Sequence, residues 1–93
     1  MSLARHAKKR DLNEAGIVKA LRAIPGCTVE TIDRPVDLLV GYRGHTYLIE
    51  VKNRDGRNRT TKGQDEFLSK WTGGQPCIVY DADEALRFIG ARR

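Results

Sequence analysis

The sequence predicts an α/β domain in the order α-β-β-β-α-β-α, with a mixed four-stranded sheet flanked by helices. Three observations predict it. Ile17, Val18, Leu21 and Ile24 recur at helical spacing. Three segments rich in β-branched residues then follow between Cys27 and Lys52, separated by turn residues. After a polar loop, two helical segments bracket a last short apolar run at Pro76 to Tyr80.

The first helix should begin near Asp11 and stop at Pro25-Gly26. Gly16 inside it costs about 1 kcal/mol against Ala. Cys27 to Ile32, with Thr28, Val29, Thr31 and Ile32, reads as the first strand, and Val36 to Tyr42 as the second. Arg43-Gly44 is a turn signal, and His45 to Lys52 is the third strand. Asn53 to Lys62 is a polar, basic loop, and Gly63 to Trp71 a second helix stopped by Gly73-Gly74. Pro76 to Tyr80 forms the fourth strand. Ala82 to Ile89 forms the last helix, with Asp81 as its N-cap.

A chain of 93 residues holds one core and not two. Residues 11–93 are expected to form that domain, after a basic arm over residues 1–10. So small a core gains from association, and a homodimer is expected. The chain is 40% apolar and 31% charged, as soluble globular domains are. No apolar run approaches the roughly 20 residues that cross a bilayer. The basic N-terminal residues are followed by no apolar segment, so a secretory signal is not expected. The cytoplasm is the expected compartment. Cys27 and Cys77 lie far apart without a CxxC or Cys/His spacing, which argues against structural zinc and for buried free thiols. No Ser/His/Asp triad or phosphate-cradling glycine loop can be assembled. His45 falls at the hairpin turn and His6 in the basic arm. Asp81, Asp83 and Glu84 read as capping and helix-dipole charges, and Tyr47 and Trp71 as core or interface residues.

The formal net charge is +5, and the isoelectric point is about 9.6. The charge is clustered: Arg5, Lys8, Lys9 and Arg10 in the arm, then Lys52, Arg54, Arg57, Arg59 and Lys62 opposed only by Asp55, then Arg87, Arg92 and Arg93. Such clusters attract phosphates and release counterions from nucleic acid. Lys8, Lys9, Arg10, Arg54, Arg57, Arg59 and Lys62 are the candidate DNA contacts. The plainer reading of the same charge is solubility alone.

A two-residue loop at Arg43-Gly44 pairs Tyr42 with His45, and the register then sets Asp37 opposite Glu50. Opposed residues share a face of the sheet, with Cβ atoms about 4.5–5.5 Å apart. Lys52, two residues past Glu50, shares that face. Two opposed carboxylates repel, so a sheet shaped for stability alone would avoid them. A divalent cation between them removes the conflict. Mg²⁺ takes oxygen ligands, commonly one or two carboxylates with water and substrate phosphate. It can activate water and stabilise charge developing on a phosphoryl group. The Lys52 ammonium can orient the attacking water or stabilise the transition state. Against this stands a Glu-Lys pattern on a solvated strand, with Asp37 merely at a strand start.

Pro35-Val36-Asp37, twelve intervening residues, then Glu50-Val51-Lys52 resembles the signature of the PD-(D/E)XK nuclease superfamily. The stretch Asp37 to Gly44, followed by Tyr47-Leu48-Ile49-Glu50-Val51-Lys52, is similar to compact stand-alone VRR-Nuc-type proteins of phages and bacteria. These are akin to archaeal-type Holliday junction resolvases. Members usually carry Pro directly before the Asp, and here Val36 intervenes. The resemblance covers about residues 11–90. It implies a restriction-endonuclease-like core and Mg²⁺- or Mn²⁺-dependent endonucleolytic hydrolysis of DNA, selective for branched or junction structures, in a bacterial or phage-infected cell. It implies that Asp37 and Glu50 ligate the metal with help from the Val51 carbonyl, and that Lys52 is the catalytic lysine. Gln64 would position substrate or the site's network, and Glu14 would reach the metal from the first helix.

The residues leave two of these open. Glu14 lies on the apolar face with Ile17, Val18 and Leu21, where a carboxylate wants a cation or hydrogen bonds. It also completes a capping box with Asp11. Gln64 is either part of a phosphate-facing helix start after Thr60, Thr61, Lys62 and Gly63 or a solvent-facing polar residue. The function itself stays open between a DNA phosphodiesterase and a non-catalytic nucleic-acid-binding module with the same fold. A protein–protein adaptor is a third reading, and it predicts no salt-dependent affinity for DNA.

Overall fold

The computed structural model describes residues 12–54 and 62–92. Helix α1 spans Leu12–Arg22, strand β1 Cys27–Thr31, β2 Leu38–Tyr42 and β3 His45–Val51. Helix α2 spans Lys62–Lys70, β4 Cys77–Val79 and α3 Ala82–Phe88. The order α-β-β-β-α-β-α is the expected one. Element ends differ by one or two residues, most consequentially at β2, which starts at Leu38 rather than Val36.

The strands form one sheet in the order β1-β2-β3-β4. The first two pairings are antiparallel and the β3–β4 pairing is parallel. Arg43 and Gly44 have φ of 52° and 81°, the positive values that a type I′ hairpin turn needs at both central residues. Gly44 adopts its value freely, while Arg43 carries a side chain there and lays its guanidinium 5.1 Å over the Tyr42 ring. The turn fixes Tyr42 opposite His45 and Leu38 opposite Ile49, the register the sequence predicts.

Alternation along the strands sends Val29, Leu38, Val40, Tyr42, Ile49, Val51 and Val79 to one face. There they pack with Ile17, Val18 and Leu21 of α1 and with Ala85, Leu86 and Ile89 at and beyond α3. Tyr47 joins this side, edge-on to Phe88 with centroids 5.2 Å apart. α3 starts as expected. Asp81 accepts from the Glu84 N–H at 2.8 Å, and Glu84 returns a bond by accepting from the Tyr80 N–H. Cys27 and Cys77 are free thiols, half-buried rather than fully enclosed. Among the described residues no helix is long and apolar enough to cross a membrane.

Candidate active site

β3 positions the site through its alternation. Ile49 and Val51 are buried in the core, so Glu50 between them points to the opposite face. Lys52 follows the strand end, where its N–H donates to the Val79 carbonyl at 3.0 Å. That bond extends the β3–β4 pairing and holds the Lys52 backbone. The Lys52 ammonium lies 3.4 Å from Glu50 Oε2, with both side chains almost enclosed. At such depth solvent ions screen the pair little.

Helix α2 brings the third group. Gln64 Nε2 sits 3.2 Å from both Glu50 carboxylate oxygens, and Gln64 is itself buried. Of the two sequence readings of Gln64, the solvent-facing one is therefore excluded.

Asp37 reaches the site differently from the sequence expectation. Its register is right, but the β2–β3 ladder ends at Leu38 and Ile49. In a continued ladder the Val51 N–H would donate to the Val36 carbonyl. β2 has left the sheet by then, and Asp37 Oδ2 accepts that N–H instead, at 2.8 Å. The Asp37 main chain is held from the other side, since the Ile32 N–H donates to its carbonyl at 2.8 Å. Asp37 is thus anchored on Ile32, just past β1, and reaches across to β3 through its carboxylate. The Val51 carbonyl lies on the same edge of β3 as its N–H and opens toward the same gap.

The electrostatics are unbalanced. Burial pushes the Glu50 carboxyl above its ordinary range, and the nearby Asp37 charge adds to this. Lys52 and Gln64 favour the charged form but do not cancel the effect. Among the described residues, two carboxylates therefore share a partly desolvated corner with the Lys52 ammonium. This donor set fits a hard divalent cation: Asp37 and Glu50 carboxylates and the Val51 carbonyl, all oxygen. Among the described residues no three His, Cys, Asp or Glu side chains converge on one point.

Glu14 is buried in the first turn of α1, in agreement with its place on the apolar stripe. Its neighbour Asn13 shows where that turn sits. The Asn13 amide donates to the Lys52 carbonyl at 3.0 Å and the Tyr80 carbonyl at 3.1 Å. Both carbonyls lie just past the carboxyl ends of the parallel strands β3 and β4, the place where α/β sheets commonly build sites. Asn13 went unnoticed in the sequence because its partners are backbone atoms that no side-chain pattern reveals. Asp11, the other half of the capping box, lies outside the described residues.

The expected DNA contacts divide. Lys8, Lys9, Arg10, Arg57 and Arg59 lie outside the described residues, as do His6 and the side chain of Lys62. Arg54 is described, and its guanidinium bonds Asp81 at 3.1 Å and Glu84 at 2.9 Å while lying 4.7 Å over the Tyr80 ring. Much of its charge is answered within the chain. Asp83 pairs with Arg87 and Arg92, in keeping with the reading of this cluster as helix-terminal charge. His45 is exposed at the hairpin turn, and Trp71 packs on Phe67 with its indole N–H on the Gly74 carbonyl.

Beside Glu50, Lys52 and Gln64 opens a cavity of about 210 Å³, bounded by the loop before Asp37, by α2 and by β4. No protein-family model, curated protein or solved structure matches this chain.

Proposed function

We propose that this chain is a metal-dependent endonuclease that hydrolyses DNA phosphodiester bonds, with Mg²⁺ or Mn²⁺ as cofactor. One observation carries the reading. Glu50, raised toward the neutral form by burial and by Asp37, is gripped by a buried lysine and a buried glutamine beside an open cavity. A stabilising surface rarely gathers these groups beside a cavity, whereas metal-assisted phosphodiester hydrolysis has a use for each of them.

Asp37 and Glu50 would hold the cation, with the Val51 carbonyl beside them. When bound, the cation supplies Lewis acidity toward a phosphoryl oxygen and lowers the pKa of water. Lys52, freed from part of its pairing with Glu50, donates toward the phosphate or the attacking water. Gln64 keeps the Glu50 carboxylate in one orientation, and Glu14 would support the site from α1. Preference for branched or junction DNA, and a homodimer matching a two-fold substrate, extend the proposal through the family resemblance.

The test is incubation with linear, flapped and four-way-junction DNA in Mg²⁺, Mn²⁺ or EDTA. Metal-dependent cutting is expected, lost in Glu50→Ala and reduced on the order of 10²–10³-fold in Lys52→Met. DNA binding with no cutting under any metal would favour the non-catalytic module instead.

A further inference from the structure

The cavity beside Glu50 has walls that phosphate chemistry alone does not call for. A site that gripped only a sugar–phosphate backbone would be lined by cations, hydroxyls and amide N–H groups. Here the walls are Pro35 and Val36 before Asp37, Leu68 on α2, and Pro76 and Ile78 at β4. Leu68 and Ile78 are 43% and 54% exposed, so this wall of the open cavity is apolar surface that solvent reaches. The polar part of the lining is Glu50, Lys52, Gln64 and Gln75. The occupant that fits is therefore a ligand with both a polar or charged part and an apolar part.

Resting on the nuclease reading above, we infer that this cavity receives one unstacked base of the nucleotide adjoining the phosphate being cut. Size agrees with that occupant. A cavity of roughly 150 Å³ takes a single benzene ring, so about 210 Å³ has room for one heterocycle. A base inside a duplex cannot enter, because it is held between its neighbours. Entry requires a nucleotide already unpaired, or one whose extrusion is cheap. The substrate class follows: DNA with an unpaired nucleotide next to the scissile bond, such as a single-stranded end, a bulge or a branch point. Apolar walls at the face of a base discriminate little between bases, because each offers a π-face. The Gln75 amide, which both donates and accepts, supplies whatever preference the base edge is given.

The experiment compares two DNAs that are duplex except for one unpaired nucleotide. One carries 2-aminopurine at that position and the other an abasic tetrahydrofuran. Cutting is followed in Mg²⁺ and Mn²⁺ with wild type, Ile78→Thr and Leu68→Gln. Both substitutions keep the local structural preference and lie on the surface, and thermal melts of each variant verify folding. The 2-aminopurine emission is read in parallel with Glu50→Gln, which removes the carboxylate charge. Expected is cleavage of the abasic DNA about tenfold slower, the size of one ring's lost apolar burial against aliphatic walls. Both wall variants should narrow that gap by acting on the base-bearing DNA alone, and the emission should change on binding. Equal cutting of the two DNAs by wild type overturns the base pocket and leaves the nuclease reading intact. An emission change relieved by the wall variants, without cutting, keeps the pocket and overturns the nuclease reading. Neither cutting nor an emission change overturns both.

Discussion

The two faces of the sheet use the same strands for opposite ends. On one face Leu38, Val40, Ile49 and Val79 are fully enclosed by α1 and the α3 region, and Glu14 is the charged residue that α1 buries beside its apolar stripe. On the other face the same strand β3 presents Glu50, with Lys52 following and Gln64 answering from α2, while Leu39 and Ile78 stay partly in solvent. The first face is the apolar core of the domain. The second holds a carboxylate in a form that burial disfavours and an apolar-walled cavity beside it. The contrast teaches that stability and chemistry are separable here at single-residue spacing. Moving one position along β3, from Ile49 to Glu50 or from Glu50 to Val51, changes which of them a residue serves.

The largest expected effect lies on the packed face. Leu21 has no exposed surface and sits between the sheet and α3. Leu21→Ala should cost about 2–5 kcal/mol, the usual range for a buried Leu that leaves a cavity. Against the typical 5–15 kcal/mol of a whole domain this is a large fraction. Urea unfolding should show a lower midpoint at unchanged slope, and metal affinity of the remaining folded protein should not change. A metal-binding defect beyond the loss of folded protein would mean that the two faces are not separable.

Next in size is the element that joins the faces. Asn13 belongs to the packed helix yet fastens the carbonyls of Lys52 and Tyr80. Asn13→Ala leaves two carbonyls without this donor, worth about 1–3 kcal/mol in total. It also loosens the backbone that carries the Lys52 side chain. Under the nuclease reading kcat should fall while KM changes little, because the substrate surface is untouched. A drop in stability with unaltered kcat in the folded fraction would make Asn13 a brace and nothing more.

The same contrast explains how much could be read from the chain. The packed face was legible because period and composition encode it: the α1 stripe, the alternation in β3 and the Arg43-Gly44 turn each leave a local signature. The register followed from that turn, and with it the juxtaposition of Asp37 and Glu50. What the register could not supply was the point where β2 leaves the sheet. That depends on the chain from Asp33 to Val36, where no period operates, and it decides that the Asp37 carboxylate takes the Val51 N–H. Gln64 was undecidable for a similar reason. Nothing in its own segment reveals whether α2 folds its first turn onto β3. The Asn13 clasp and the engagement of Arg54 by Asp81 and Glu84 are likewise products of the tertiary fold.

The smallest expected effect is the most specific to the chemical face, because its sign is unusual. Most carboxylates in folded proteins are paired so that ionisation stabilises the fold. Glu50 runs the other way, its carboxyl raised by burial first and by Asp37 second. The folded chain therefore holds the Glu50 proton more tightly than the unfolded chain does, and ionisation destabilises the fold. Stability from this residue is greatest below the ordinary glutamate range, declines as pH rises through the interval up to the raised value, and is level above it. Glu50→Gln mimics the protonated side chain and keeps its shape. In EDTA it should be the more stable protein at pH 7, by an amount that shrinks toward nothing as the pH falls below about 4. Added Mg²⁺ should reverse the order, since it stabilises only the form that can bind it. Urea midpoints of the two proteins across pH, with and without Mg²⁺, measure both signs. If Glu50→Gln is the less stable protein at pH 7 in EDTA, then Lys52 and Gln64 outweigh burial and Asp37, and the second face is as settled as the first.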